Sequence, residues 1–174
     1  MASVLETLVV EYAPRGLLVD TNVLLLYLVG LFDRTFVERF KRTRARGYTA
    51  DDFAIASNLM RCFRRVVTTP HILAEVSNLS FQMEEPRLIG YFRIVVRVLR
   101  GLHEQSVPKD LILDSPRLGL LPKIGFTDLS ILEAAKRSKY LVLTDDLKAA
   151  AYLRAAECDV INLTQLRGEL WLSE

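Results

Sequence analysis

A chain of 174 residues, 51% hydrophobic and 25% charged, is the right size for one domain that buries its own core without disulfides or a structural metal. Its 23 basic and 21 acidic residues nearly cancel to a formal charge of +2, so net charge does not mark a nucleic-acid binder, and any electrostatic argument rests on where the charges sit. Cys62 and Cys158 stand far apart, which excludes a close-paired zinc motif and a secreted disulfide framework and suits a reducing cytoplasm.

The N-terminal stretch carries Glu6 and Glu11 and lacks a basic start followed by an apolar run, so no signal peptide is expected. The longest apolar run, residues 23–32, is about half of the roughly 20 residues a membrane span needs, and it predicts a buried helix with no membrane contact. No repeat, low-complexity tract or linker divides the chain, and a single domain over residues 1–174 follows.

Gly16 precedes Leu17, Leu18 and Val19, an all-apolar run of the kind shown by a strand buried on both faces of a parallel sheet; Asp20 ends it. The spacing predicts a helix over residues 23–40, a basic turn, and a second helix over residues 51–63 with Thr49 near its cap. Val66, Val67 and Thr68 read as a short strand. Thr69 follows, then Pro70 at a favourable first helical position, opening a helix that carries Glu75. Pro86 opens a longer helix to about residue 105. Residues 107–124, with Pro108, Pro116 and Pro122, read as an irregular connection with room for one strand. Thr127 caps a helix over residues 128–138, which leads into a buried strand at residues 140–144, with Asp145 and Asp146 directly behind it. A helix over residues 147–156, a strand at residues 160–162 and a terminal helix from Gln165 complete the chain. Alternating strands and helices predict an α/β fold, a three-layer α/β/α sandwich around a central, mainly parallel sheet with right-handed crossovers.

Ligands of open parallel sheets bind beyond the carboxyl ends of the strands, where this chain places Asp20 after one strand and Asp145 and Asp146 after another. Glu75 and Asp128, on helices, are placed to lean over the same edge. Carboxylates gathered this closely repel one another, and a cation resolves the conflict. Ligands that are all oxygen, without His or Cys, favour Mg²⁺ or Mn²⁺, which keep waters and take few carboxylates, leaving a side open to a phosphodiester.

Four segments in order carry a resemblance: Leu17-Leu18-Val19-Asp20-Thr21-Asn22-Val23, Thr69-Pro70-His71-Ile72-Leu73-Ala74-Glu75-Val76, Thr127-Asp128 at a helix start, and Leu143-Thr144-Asp145-Asp146. Spanning most of the chain, they resemble the PIN-domain nucleases, a family that includes the toxin ribonucleases of bacterial and archaeal toxin-antitoxin pairs. The resemblance implies cleavage of single-stranded RNA with Mg²⁺ or Mn²⁺, metal-holding and catalytic roles for Asp20, Glu75, Asp128 and Asp146, and a cognate antitoxin protein as partner. The family's Thr, any residue, Asp pattern selects Asp146 as the fourth acid, while Asp145 beside it leaves the choice open. Asn22 and Thr144 resemble residues that orient the carboxylates by hydrogen bonding.

Each acid also has a plainer reading. Asp20 is a good helix cap, Glu75 and Asp128 are ordinary first-turn acids, and Asp145 with Asp146 would suit a turn. Their joint order favours the metal site. His71, after Pro70 at a helix start, reads as structural or solvent-exposed and not as a general base, and His103 stands alone in a helical pattern without functional weight. Glu84 and Glu85 read as a solvated helix end, and Met60, Met83 and Trp171 as packing residues.

Arg39, Lys41, Arg42, Arg44 and Arg46, with Arg61, Arg64 and Arg65, offer either a phosphate-tracking rim or a solvated face. Arg93, Arg97 and Arg100 form one stripe on an otherwise apolar helix, marking its exposed face. The aliphatic content of the helices over residues 23–40 and 86–105 raises the expectation of a homodimer. A phosphatase that uses its first-strand Asp as nucleophile needs a second Asp two positions on, where this chain has Asn22. The remaining alternative is a catalytically silent PIN-like module that binds RNA or protein; such a module is expected to have lost an acid, and none is missing here.

Overall fold

The strands are short and apolar because both of their faces are covered: Leu17, Leu18, Val19, Leu141, Val142 and Leu143 are all fully buried. A computed structural model describes residues 3–171, with side chains as far as Gly168. The expectation for Trp171 as a packing residue falls outside the described side chains.

In chain order the helices and strands are α1 (Val4–Tyr12), β1 (Leu17–Val19), α2 (Thr21–Phe32), α3 (Lys41–Ala45), α4 (Ala50–Arg61), β2 (Val66–Thr68), α5 (Pro70–Ser80), α6 (Arg87–Leu99) and β3 (His103–Glu104). They continue with α7 (Lys109–Leu113), α8 (Leu121–Ser138), β4 (Leu141–Thr144), α9 (Leu147–Ala155), β5 (Val160–Asn162) and α10 (Leu163–Trp171). The five strands form one sheet in the order β3-β2-β1-β4-β5 and every pairing is parallel, so the α/β sandwich is built on a wholly parallel sheet. In register, Leu18 faces Val67 on one side and Val142 on the other.

That order positions the site. From β1 the chain steps outward to β2 and β3, then returns to place β4 against the other side of β1. The direction of winding therefore reverses between β1 and β4, and this is where a parallel sheet opens a crevice at its carboxyl end. Right-handed crossovers in opposite directions put helices on opposite faces. On one face α2 packs against α4, α5 and α6; on the other α8 packs against α9.

The helix α2 is apolar all round and buried, with Val23, Leu24, Leu26, Leu28 and Val29 fully inaccessible. Each such side chain contributes about 1.5–3 kcal/mol. Gly30 lets α4 approach, since a Cβ there would lie 2.1 Å from the Phe53 ring. Most of the α2 aliphatics face the inside of the chain, with Leu31 left exposed near its end. Exposed apolar side chains lie also on α6, where Ile89 and Val96 join the exposed Arg93, Arg97 and Arg100, so the arginine stripe is not that helix's sole exposed part.

Several boundaries differ from expectation for identifiable reasons. Residues 23–40 do not form one helix: α2 starts at Thr21, capped by Asp20, and stops at Phe32, because the Asp33 carboxylate accepts the Thr35 N–H and turns the chain into a 3-10 turn at Arg34–Phe36. The expected basic turn contains the short helix α3. The helix after Pro86 ends at Leu99 instead of reaching residue 105, and His103 is in the edge strand β3. Residues 107–124 hold no strand; they contain α7, a 3-10 turn at Leu118–Leu120 and the start of α8. Within α8 the helical path breaks at Gly125 (φ 83°, ψ 174°), so Thr127 lies inside the helix and is not its cap. The helix α1 was not expected at all, although Ser3 and Glu6 form a capping box.

Candidate metal centre

The acids gather at the crevice between β1 and β4. Asp20 leaves β1 and caps α2, its Oδ1 accepting the Val23 N–H at 2.8 Å. Its Oδ2 accepts a hydrogen bond from the hydroxyl of Thr144, the last residue of β4. The same Thr144 Oγ1 accepts the Asp146 N–H at 3.0 Å, so one hydroxyl ties the ends of both strands together. Asp146 caps α9, with Oδ1 accepting the Lys148 and Ala149 N–H groups at 2.7 and 3.0 Å. Thr69 caps α5 and thereby aims Glu75, whose Oε2 accepts the Thr21 hydroxyl at 3.1 Å. Asp128 enters from α8, just beyond the Gly125 break.

A cleft of about 380 Å³ brings these groups together: Asp20, Glu75, Asp128 and Asp146 line it with Thr21, Asn22, Arg42 and Arg46. Asp145 stands apart from that lining. It is 9% exposed and its Oδ2 lies 3.3 Å from Arg46 Nε, while its Oδ1 is buried without a hydrogen-bond partner. Beneath the acids a void of about 10 Å³ is walled by Ile124, Ile131, Val142 and Leu153, giving the site an apolar floor with room for no more than one water.

Burial over that floor, with the charges of Asp145 and Asp128, pushes the Asp20 carboxyl up to about 7 against the stabilising bonds from Thr144 and Val23. Asp128 is raised to about 6 by burial and then by the charges of Asp146, Glu75 and Asp145, partly offset by Arg46. The acids therefore feel one another electrostatically.

Thr144 orients a carboxylate as expected. Asn22 lines the cleft, yet among the described residues no hydrogen bond joins its side chain to an acid; Thr21 makes that contact instead. Three further residues went unread in the sequence. Thr21 lies inside the first motif segment but carried no role there, Arg46 was one of a basic run without a distinguished role, and Tyr48, buried beside Asp145 and Asp20, holds its phenol well above its usual range through burial and their charges. The His71 ring sits 2.9 Å from the Val107 carbonyl and against Phe126, His103, Glu84 and Glu85 are exposed, and Met60 and Met83 are buried.

No protein-family model and no curated protein matches the chain. The site must therefore be judged on its own chemistry. Among the described residues no three His, Cys, Asp or Glu side chains already ring a common point. A hard cation that keeps most of its waters needs only one or two carboxylates directly, and the all-oxygen donors lining the cleft, two of them with raised proton affinity, fit Mg²⁺ or Mn²⁺.

A pH dependence follows. Because Asp20 and Asp128 bind protons more tightly folded than unfolded, the metal-free protein loses stability as pH rises from about 4 to about 7. A cation competes with those protons. Mn²⁺ is thus expected to raise the melting temperature more at pH 8 than at pH 5.5, measured by differential scanning fluorimetry; an equal rise at both would sink this account.

Proposed function

We propose that the chain is a metal-dependent endoribonuclease that cleaves phosphodiester bonds of single-stranded RNA. The observation that carries this reading is the meeting of Asp20, Glu75, Asp128 and Asp146 in one cleft at the switch between β1 and β4. In this reading Asp20, Glu75, Asp128 and Asp146 hold a divalent cation between them. Bound there, Mg²⁺ or Mn²⁺ neutralises charge on the scissile phosphate and makes water a competent nucleophile near neutral pH. The chain's own residues do the positioning. Thr144 and the Val23 N–H fix both oxygens of Asp20, Thr21 fixes Glu75, and the α9 cap fixes Asp146. The apolar floor keeps bulk water from beneath the acids, so their attraction for a cation is less screened.

The resemblance extends the proposal to the toxin of a toxin-antitoxin pair, with an antitoxin protein as inhibitor. A cytoplasmic setting fits the two free cysteines, and none of the described helices is long and apolar enough to cross a membrane. A catalytically silent domain that binds RNA or protein is the rival reading. Incubation of single-stranded RNA with the protein separates the two. Cleavage that needs Mn²⁺ or Mg²⁺ and stops in excess chelator is the expected result. RNA bound but left intact with either metal supports the silent domain.

A further inference from the structure

We propose that α3 presents Arg42 and Arg46 as a phosphate clamp, two guanidiniums that hold the RNA backbone next to the scissile bond. This rests on the nuclease reading above and adds the residues that let a polyanion enter an acidic cleft. Four carboxylates line that cleft, and among the described residues the only cationic side chains lining it with them are Arg42 and Arg46. Without positive groups on the wall, the phosphates of an incoming strand meet acids of their own sign.

Arg42 lies in α3 and Arg46 at its C-cap, still in right-handed helical backbone, so the two, four positions apart, fall on the same side. Their support is rigid. Thr43, almost fully buried, donates to the Val37 and Phe40 carbonyls and turns the opposite face of α3 into the protein. Arg46 is tied to Asp145 at the end of β4, and Tyr48 is buried just beyond, beside the same carboxylate. Arg42 has no carboxylate partner within 4.0 Å among the described residues. Its charge is left for a ligand, and Arg46 spans from a buried acid to the cleft. A guanidinium's planar fork suits phosphate oxygens. Of the basic run noted in the sequence, Arg39 is engaged elsewhere, with its guanidinium on Thr35, and neither it nor Lys41 or Arg44 lines the cleft.

The test is binding of a fluorescein-labelled single-stranded RNA to the full chain in excess chelator, followed by anisotropy across a salt series. For single strands the slope of log K against log salt falls by about 0.7 for each phosphate that the protein no longer neutralises, so Arg42→Gln with Arg46→Gln is expected to shallow it by about 1.4 and weaken binding roughly tenfold. Arg93→Gln with Arg97→Gln removes the same charge from α6 and is expected to leave both quantities nearly unchanged. Arg42→Gln alone, which breaks no ion pair, is expected to give half of the slope change, and guards against misfolding when Asp145 loses its partner. If the α6 pair weakens binding as much as the α3 pair, or if Arg42→Gln leaves the slope intact while wild type binds and cuts RNA, the clamp is wrong and the nuclease reading stands. If wild type neither binds nor cuts RNA, both fall together.

Discussion

Asp20→Asn is expected to lower RNA cleavage by about 10³-fold while making the metal-free protein more stable at pH 8. The two effects have one origin. Asn keeps the cap, since its side-chain oxygen can still accept the Val23 N–H, and Asn caps helices as well as Asp does. Its amide can face Thr144, whose hydroxyl reverses to accept. What disappears is the buried negative charge that Asp145 and Asp128 resist. Removing it is expected to stabilise by about 2 kcal/mol, with part of the repulsion left in the remaining acids, which for a domain of this size is roughly 4–8 °C in melting temperature. The same charge is what attracts a cation, and a 10³-fold loss corresponds to about 4 kcal/mol of transition-state stabilisation. A simple helix cap behaves otherwise: Asp20→Asn leaves any activity intact. Cleavage assays in Mn²⁺, paired with melting curves with and without metal, measure both halves. Undiminished cutting overturns the metal-site role of Asp20.

The sequence showed the crevice because its marks are local. An all-apolar run that ends at an acid is a strand buried on both faces that stops at a ligand-binding edge; Asp20 follows Leu17 to Val19 directly, and Asp145 and Asp146 follow Leu141 to Leu143 after Thr144. The cap reading of Asp20 is met by one carboxylate oxygen, while the other accepts the Thr144 hydroxyl across the strand ends. Features made by distant residues were not legible. Nothing near Arg46 says that it pairs with Asp145, and the two-residue strand β3 exists only because β2 lies beside it. Other misses had readable causes. Ser3 and Glu6 spell a capping box, Asp33 with Thr35 a helix stop, and Pro108 and Pro122 suit the first turns of α7 and α8 better than an irregular loop.

The sequence left the fourth acid unresolved, and the two neighbours are expected to separate cleanly by kinetics. Asp146 lines the cleft with one oxygen engaged in the α9 cap. Asp146→Asn preserves that cap, so the fold is expected to persist while kcat falls by about 10²-fold or more, the signature of a group that acts only on the reacting centre. Asp145 is outside the lining, with its Oδ2 held against Arg46 and its charge acting on Asp20. Asp145→Asn relieves Asp20 of a like charge but unties the end of α3, so the loss is expected in substrate positioning: KM rises about tenfold and kcat stays within about threefold. Steady-state cleavage by both variants at saturating Mn²⁺ decides between them. A collapse of kcat in Asp145→Asn with Asp146→Asn near wild type reverses the assignment, and the orphaned Oδ1 of Asp145 then becomes the oxygen that meets the cation. Under the present assignment Asp145 acts through its other oxygen, Oδ2, which lies 3.3 Å from Arg46 Nε and keeps the guanidinium on the wall of the cleft when the RNA leaves.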